Sequence, residues 1–329
     1  MTSTLTRRML LAAAALAAPS LPAMASAEQA GTVTVGWVKS TANLMMVLAP
    51  ELAGKHGLAI ETINFNTAVD ISTAMISGEV DIGLLTPIHL IRAIENDLDF
   101  VQFAGNTRGN TGIVASSGLQ LKENDWAGLR AKAKEKKLTV ASSRGSINEI
   151  LSIGEFAGNG INVGGNLDLV NLANFSQHPQ ALRSGDFDMI ITLEPLASLA
   201  VAEGTGSLFS RPYGTGAGDL NTGYVAKGDW LGSNADKAAA FVRTLHEAAG
   251  ILAADKPREL KLAKRLTGMS EAVLTAALAN NRYELDNGLA QMRNLARLAF
   301  EQKYAGRDVS QSLAKHVEQR FLHAVGIGN

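Results

Sequence analysis

Short polar side chains gather at five places where the sequence leaves an apolar run. These are Ser40, Thr41 and Asn43; Thr86 and His89; Asn106, Thr107 and Arg108; Arg144, Gly145, Ser146 and Asn148; and Glu194. Most stand just ahead of a helical pattern. Helix starts leave free N–H groups and a partial positive charge, so they attract anions. Ser and Thr hydroxyls add donors, and Arg108 and Arg144 add forked, permanently charged ones. The set suits the holding of a small anion by many hydrogen bonds. Ser, Thr and Asn also cap helices with no ligand present, so each alone reads as a cap, and only their convergence would make a site.

Other chemistries find less support. Six histidines, His56, His89, His178, His246, His316 and His323, form no HxH or HxxxH pair, so no metal site is expected. The chain contains no cysteine, which excludes disulfides, thiolate metal sites and a cysteine nucleophile. Neither GxSxG nor a phosphate loop ending in Gly-Lys-Ser/Thr occurs. Glycine-rich "RPYGTGAGDLNTG" precedes no helix and reads as a crossover between lobes. Glu194 has the chemistry of a base but lacks an evident acid or nucleophile beside it; an interlobe hydrogen bond or a positively charged ligand group explains it equally well. No cofactor is expected.

The elements that must position these residues are written twice. "AMISGEVDIGLLTP", Ala74–Pro87, is echoed by "ALRSGDFDMIITLEP", Ala181–Pro195. Around the first copy run the strands "TVTVGWV", "LAIETINF", "VDIGLL" and "FVQFAG", with helices between them. The order restarts with "KLTVASS", a helix capped by Ser146 with Glu149 as its capping box, "LDLVNL", "QHPQALRSG" and "FDMIITL". Strand–helix alternation of this kind predicts parallel sheets covered by helices. The repeated Ser-Gly-acid segment and Asp188 read as scaffold, and the ends that differ, Thr86-Pro87 and Glu194-Pro195, as the functional part. In doubly wound sheets ligands sit beyond the carboxyl ends of strands, where the five polar clusters fall. "TGYVAK" reads as a return strand. From about Asn234 to Val325 the apolar spacing of three and four predicts helices throughout. The charged segment Leu121–Lys137 reads as a solvated surface helix or loop. The fold class is α/β: two similar doubly wound lobes with a cleft between them, plus C-terminal helices.

At the N-terminus, "TRRMLLAAAALAAPSLPAMASA" has the three blocks of a secretory signal peptide: two arginines, an apolar run and a small-residue end at Ala25-Ser26-Ala27. The apolar run is shorter than the roughly 20 residues that span a bilayer. Thr6-Arg7-Arg8-Met9-Leu10-Leu11 resembles a twin-arginine export motif, and an ordinary positive leader reads the same way. Loss of Arg7 and Arg8 takes the net charge from −1 to −3, which gives no reason to expect nucleic acid or anionic membrane. With no cysteine for a lipid anchor, the expected product is a free, monomeric periplasmic protein. The expected division is a signal peptide at 1–27, a first lobe at 28–115, a second at 116–213, and a return to the first at 214–329.

"ISGEVDIGLLTP", "VASSRGSINEILSIGEFAGNGIN" and "ALRSGDFDMIITLEP", in this order behind a leader, resemble the substrate-binding proteins of nitrate/sulfonate/taurine-type ABC transporters. The resemblance covers most of the chain from about Thr32. It implies a type II periplasmic binding fold that closes on a small organic anion, best a sulfonate such as taurine or an alkanesulfonate, and docks on an inner-membrane permease with its ATPase. Carried over by position, the Ser40–Asn43 turn, Thr86, the Arg144–Ser146 turn and the Glu194-Pro195 turn line the cleft. The family often has an aromatic in the first turn and a Trp before Glu-Pro. Small or aliphatic residues, Leu193 among them, stand there in this chain, which weakens an aromatic-stacking site. Related enzymes that make a thiamine pyrimidine precursor use a cysteine-rich motif absent from this chain. The alternatives are an exported enzyme or sensor subunit, or an importer of nitrate or a pyrimidine precursor.

Overall fold

Asp81 and Asp188, the acids shared by the two copies of the repeat, do the same task in two sheets. Asp81 Oδ2 accepts from Thr34 N at 2.9 Å while Asp81 N donates to Thr34 O at 3.0 Å. Asp188 Oδ2 accepts from Thr139 N at 3.0 Å while Asp188 N donates to Thr139 O at 3.0 Å. Each carboxylate closes the entry of its strand onto the neighbouring one. The preceding glycines, Gly78 and Gly185, have φ of +81° and +80°, a left-handed helix stop that a side chain would strain. The repeat is therefore scaffold.

The computed structural model describes residues 31–328, so the signal-peptide expectation lies outside the described residues. The strands are β1 (Gly31–Trp37), β2 (Leu58–Asn64), β3 (Ile82–Leu85), β4 (Phe100–Gly109), β5 (Thr111–Ser116), β6 (Leu138–Ser142), β7 (Leu167–Asn171), β8 (Met189–Leu193), β9 (Gly206–Ser210), β10 (Leu220–Lys227) and β11 (Asn281–Tyr283). They form a six-stranded sheet, β11-β4-β10-β3-β1-β2, and a five-stranded sheet, β7-β6-β8-β5-β9. The parallel sets β3-β1-β2 and β8-β6-β7 are the two copies of the unit. Each sheet adds antiparallel strands: β10, β4 and β11 in the first, β5 and β9 in the second. Both sheets are thus mixed rather than wholly parallel.

Four features differ from expectation. β4 runs on to Gly109, so Asn106, Thr107 and Arg108 lie in a strand and not in a loop. The chain enters the second sheet at Thr111, ahead of a boundary at 115. β11 interrupts the C-terminal helical region and pairs with β4. The last segment, expected as one helix, is a 3₁₀ turn at Ser312–His316 and a short helix at Arg320–His323, because Val317 is extended and bridges to Gln102.

Buried apolar side chains hold each sheet to its helices. Val33, Val35, Leu44 and Met45 pack with Phe241 and Leu245 of the long helix Ala235–Ala254, and the Tyr224 ring meets Phe241 edge-on at 5.2 Å. In the second lobe Ile113, Val140, Phe156, Ile191 and Phe209 form the centre, with Trp126 edge-on to Phe209 at 4.7 Å. Full burial of such a side chain stabilises by roughly 1.5–3 kcal/mol. Another cluster crosses the lobes. Ile147, Ile150 and Leu151 of the second-lobe helix Ile147–Gly158 share it with Ile88 and Ile91 of the helix Pro87–Glu95 and with Met292 and Leu295 of the helix Leu289–Glu301. The last helix thus braces both lobes beside the cleft. Among the described residues no helix is long and apolar enough to cross a membrane.

Candidate functional site

A cavity of about 390 Å³ lies between the lobes, at the carboxyl ends of β1, β3 and β6. Four helix starts meet there. Ser40 accepts from Ala42 N at 3.2 Å at the head of the turn that leads into the helix Leu44–Leu52. Thr67 accepts from Asp70 N at 3.1 Å and heads the helix Ala68–Ser77. Thr86 precedes Pro87, which has no N–H to leave unpaired. Its hydroxyl meets His89 Nδ1 at 2.8 Å instead of capping. Ser146 accepts from Glu149 N at 3.2 Å, and Glu149 reaches back to Gly145 N at 3.0 Å. This is the expected capping box displaced by one residue. The N–H groups of Ile147 and Asn148 keep no hydrogen bond among the described residues, and both residues line the cavity.

Of the expected residues, Ser40, Asn43, Thr86, His89, Arg144, Gly145, Ser146 and Asn148 line this cavity. Thr41, Asn106, Thr107, Arg108 and Glu194 do not. Thr41 is buried, and its hydroxyl donates to Glu194 O at 3.4 Å. Asn106 is buried beneath the first turn and donates to Asn43 Oδ1 at 3.0 Å, while the Thr107 hydroxyl donates to Ala42 O at 3.0 Å. Both support the cavity wall from behind. Arg108 points away into an ion cluster, with Glu284 at 2.6 Å, Asp286 at 3.3 Å and Asp219 at 3.8 Å. Glu194 is fully buried and held by Arg211 at 3.0 Å, Ser198 N at 3.0 Å and Asn280 Nδ2 at 3.3 Å. Its three donors draw it away from the cleft; only its neighbour Leu193 reaches the cavity.

Several lining residues escaped the sequence reading. Arg92 stands one turn after His89 and donates from Nη2 to Gly145 O at 3.2 Å. Its spacing of three from His89 put it on the same helix face. The sequence Thr67-x-x-Asp70 was a capping signal for the fourth helix start. Phe175 adds an aromatic from the loop before His178, whose Nε2 meets Leu172 O at 2.8 Å and ties the loop down. Nothing periodic in that loop marks the ring.

Charge is one-sided here. Arg92 and Arg144 line the cavity, and neither has a carboxylate within 4 Å among the described residues. Among the described residues the lining includes no Asp or Glu. Burial, with Arg92 adding to it, pushes His89 down to about 4, so its imidazole is neutral near pH 7. Val38, Leu84, Leu193 and Phe175 make an apolar wall beside the donors. No metal-ligating cluster occurs among the described residues.

Two mixed α/β sheets with a polar cleft between them define a periplasmic-binding-type fold, and solved structures share it. The periplasmic nitrate-binding protein NrtA from Synechocystis aligns with a TM-score of 0.76 at 14% identity, over 90% of this chain and 89% of that one. The periplasmic aliphatic sulphonate binding protein SsuA from Escherichia coli aligns at 0.74 with 17% identity, over 89% and 99%. The alkanesulfonate-binding protein SsuA from Xanthomonas axonopodis, solved bound to MOPS, aligns at 0.72 with 19% identity, over 88% and 98%. At these identities the likeness shows the fold. No curated protein matches the sequence. The model of the NMT1-like family matches residues 26–267, and the chain belongs to that family.

Proposed function

We propose that the protein is the extracytoplasmic substrate-binding component of an ABC importer for a small organic anion, with sulfonates the leading class. One observation carries this reading: two arginines and the free N–H groups of a helix start face one cavity that, among the described residues, no carboxylate lines. An anion bridging Arg92 of the first lobe and the Arg144–Ser146 turn of the second binds the closed form better and shifts the population toward it. The closed form then docks on an inner-membrane permease with its ATPase. The leader-like N-terminus supports export to the periplasm, and the family and the sulfonate- and nitrate-binding neighbours support the transport role.

The cavity is roomy for nitrate, and its apolar wall offers such an ion nothing, which favours an organic anion. An enzyme reading has Glu194, His89 and the arginines for its chemistry, and its carboxylate, Glu194, lies outside the cavity, committed to Arg211. A thermal-shift panel of alkanesulfonates, nitrate, carboxylates and pyrimidines tests the proposal. Stabilisation by sulfonates is expected. Stabilisation by neutral or cationic compounds alone would overturn it.

A further inference from the structure

We infer that the cleft selects anions carrying no ammonium group, so that plain alkane- or arenesulfonates are its ligands and aminosulfonates such as taurine are rejected. This rests on the organic-anion reading above and deepens it. The ground is where the nearby carboxylates point. Glu149 lies directly behind the Arg144–Ser146 turn, yet it is buried and its oxygens accept from Gly145 N, the Ser142 hydroxyl and the Tyr304 hydroxyl. Glu194 is spent on Arg211, Ser198 N and Asn280. Asp70 follows the lining segment Thr67–Val69, but its Oδ2 takes the Thr67 hydroxyl at 2.8 Å and it is not part of the lining.

A bound aminosulfonate therefore seats its sulfonate on the guanidiniums and the Ile147 and Asn148 N–H groups, and finds no counter-charge for its other end. The remaining surfaces are the apolar side chains Val38, Leu84, Leu193 and Phe175, at the mouth Val69, neutral polar side chains such as Asn43, Asn66, Asn110 and Thr222, which offer acceptors but no charge, and the two like-charged arginines. An ammonium taken out of water without a charged partner is strongly disfavoured. An alkyl or aryl body suits the same wall through ordinary burial. Arg92, Arg144 and Glu149 sum locally to one positive charge, which a monoanion balances and a zwitterion does not.

The test is calorimetric titration of the full mature chain with propane-1-sulfonate and with 3-aminopropane-1-sulfonate, which differ only by the ammonium. Propane-1-sulfonate is expected to bind at least tenfold more tightly. Val69→Asp, at an exposed position in the first turn of its helix where an acid is favourable, is expected to narrow that ratio by placing a carboxylate at the mouth. Equal or tighter binding of the aminosulfonate by the unaltered chain overturns the selectivity while leaving the anion reading intact. Failure of both sulfonates to bind overturns the sulfonate class and the selectivity with it, and the panel of other anions then decides the anion reading.

Discussion

Arg92 in the first lobe donates to the carbonyl oxygen of Gly145 in the second at 3.2 Å. That bond places a guanidinium across the cleft and leaves its other N–H groups for a ligand. It also fixes what can stand at 145: φ is +71°, and a Cβ would come within 2.6 Å of Arg92 Nη2. Arg144, by contrast, is exposed. A hydrogen bond to a charged group is worth about 1.5–3 kcal/mol when shielded, whereas exposed pairs give about 0–1 kcal/mol. Arg92→Ala is therefore expected to weaken propane-1-sulfonate binding by roughly 10- to 100-fold, and Arg144→Ala by no more than about fivefold. Titration of both variants checks the order, and equal losses would refute it. Arg92→Lys is expected to recover only part of the affinity, since a lysine lacks the fork.

Tyr304 supplies a second bond between the lobes. It follows the bracing helix Leu289–Glu301, and its hydroxyl donates to the Glu149 carboxylate. Burial, then that bond, raises the phenol well above its usual range, so it stays a donor. Gln302 Nε2 joins it by donating to Ile150 O at 3.0 Å. Tyr304→Phe takes a donor from a buried carboxylate, at a cost of about 1–3 kcal/mol. The expected outcome is a lower denaturation midpoint and faster sulfonate dissociation in stopped flow. A dissociation rate unchanged alongside a lowered midpoint would show the bond to be structural only.

The doubled unit was legible because each lobe needs the same parts: a glycine to stop a helix, an aspartate to enter a strand, an apolar strand to bury. Caps at Ser40 and Ser146 were legible for the same local reason, as was the helix start at Thr86, whose hydroxyl turns to His89 instead. What failed depended on tertiary partners. Asn106, Thr107 and Arg108 look like a polar loop, but their side chains are satisfied within the fold, Asn106 by Tyr224, Asn43 and Thr222. β5 follows β4 with only Asn110 between them, where Gly109 and Asn110 both take positive φ. No turn signal of several residues announces the change of sheet. Glu194 was a polar residue at a strand end like Thr86, and partners distant in the chain, Arg211 seventeen residues on and Asn280, join Ser198 N in turning it inward.

That ion pair leads to an unequal prediction. Glu194 is fully buried, whereas Arg211 keeps about a fifth of its side chain exposed. Arg211→Ala strands a carboxylate in the interior and is expected to cost about 3–5 kcal/mol. Glu194→Gln keeps the shape and most of the hydrogen bonds, leaves an arginine that reaches solvent, and is expected to cost about 1–2 kcal/mol. Urea denaturation of the two variants tests the ranking. Because Glu194 does not line the cavity, Glu194→Gln should also bind propane-1-sulfonate within about twofold of the unaltered chain, a difference of about 0.4 kcal/mol.

His89 gives the protein a pH dependence whose sign is fixed. Folded, the imidazole is held at about 4 by burial and by Arg92, and unfolded it returns to 6.5. Between those values the unfolded chain binds a proton that the folded chain does not, so stability rises with pH across the window. The contribution is complete above pH 6.5 and is lost as the pH falls toward 4, with an upper bound of about 3 kcal/mol. His178, also pushed down by burial, acts in the same direction. Denaturation midpoints at pH 7, 6 and 5 should fall in that order. His89→Asn should flatten the fall and leave the share due to His178. A native chain equally stable at pH 5 and pH 7 would show that His89 is not held neutral. Sulfonate affinity should meanwhile stay level from pH 8 to about 5, because neither the ligand nor any lining residue changes charge in that interval.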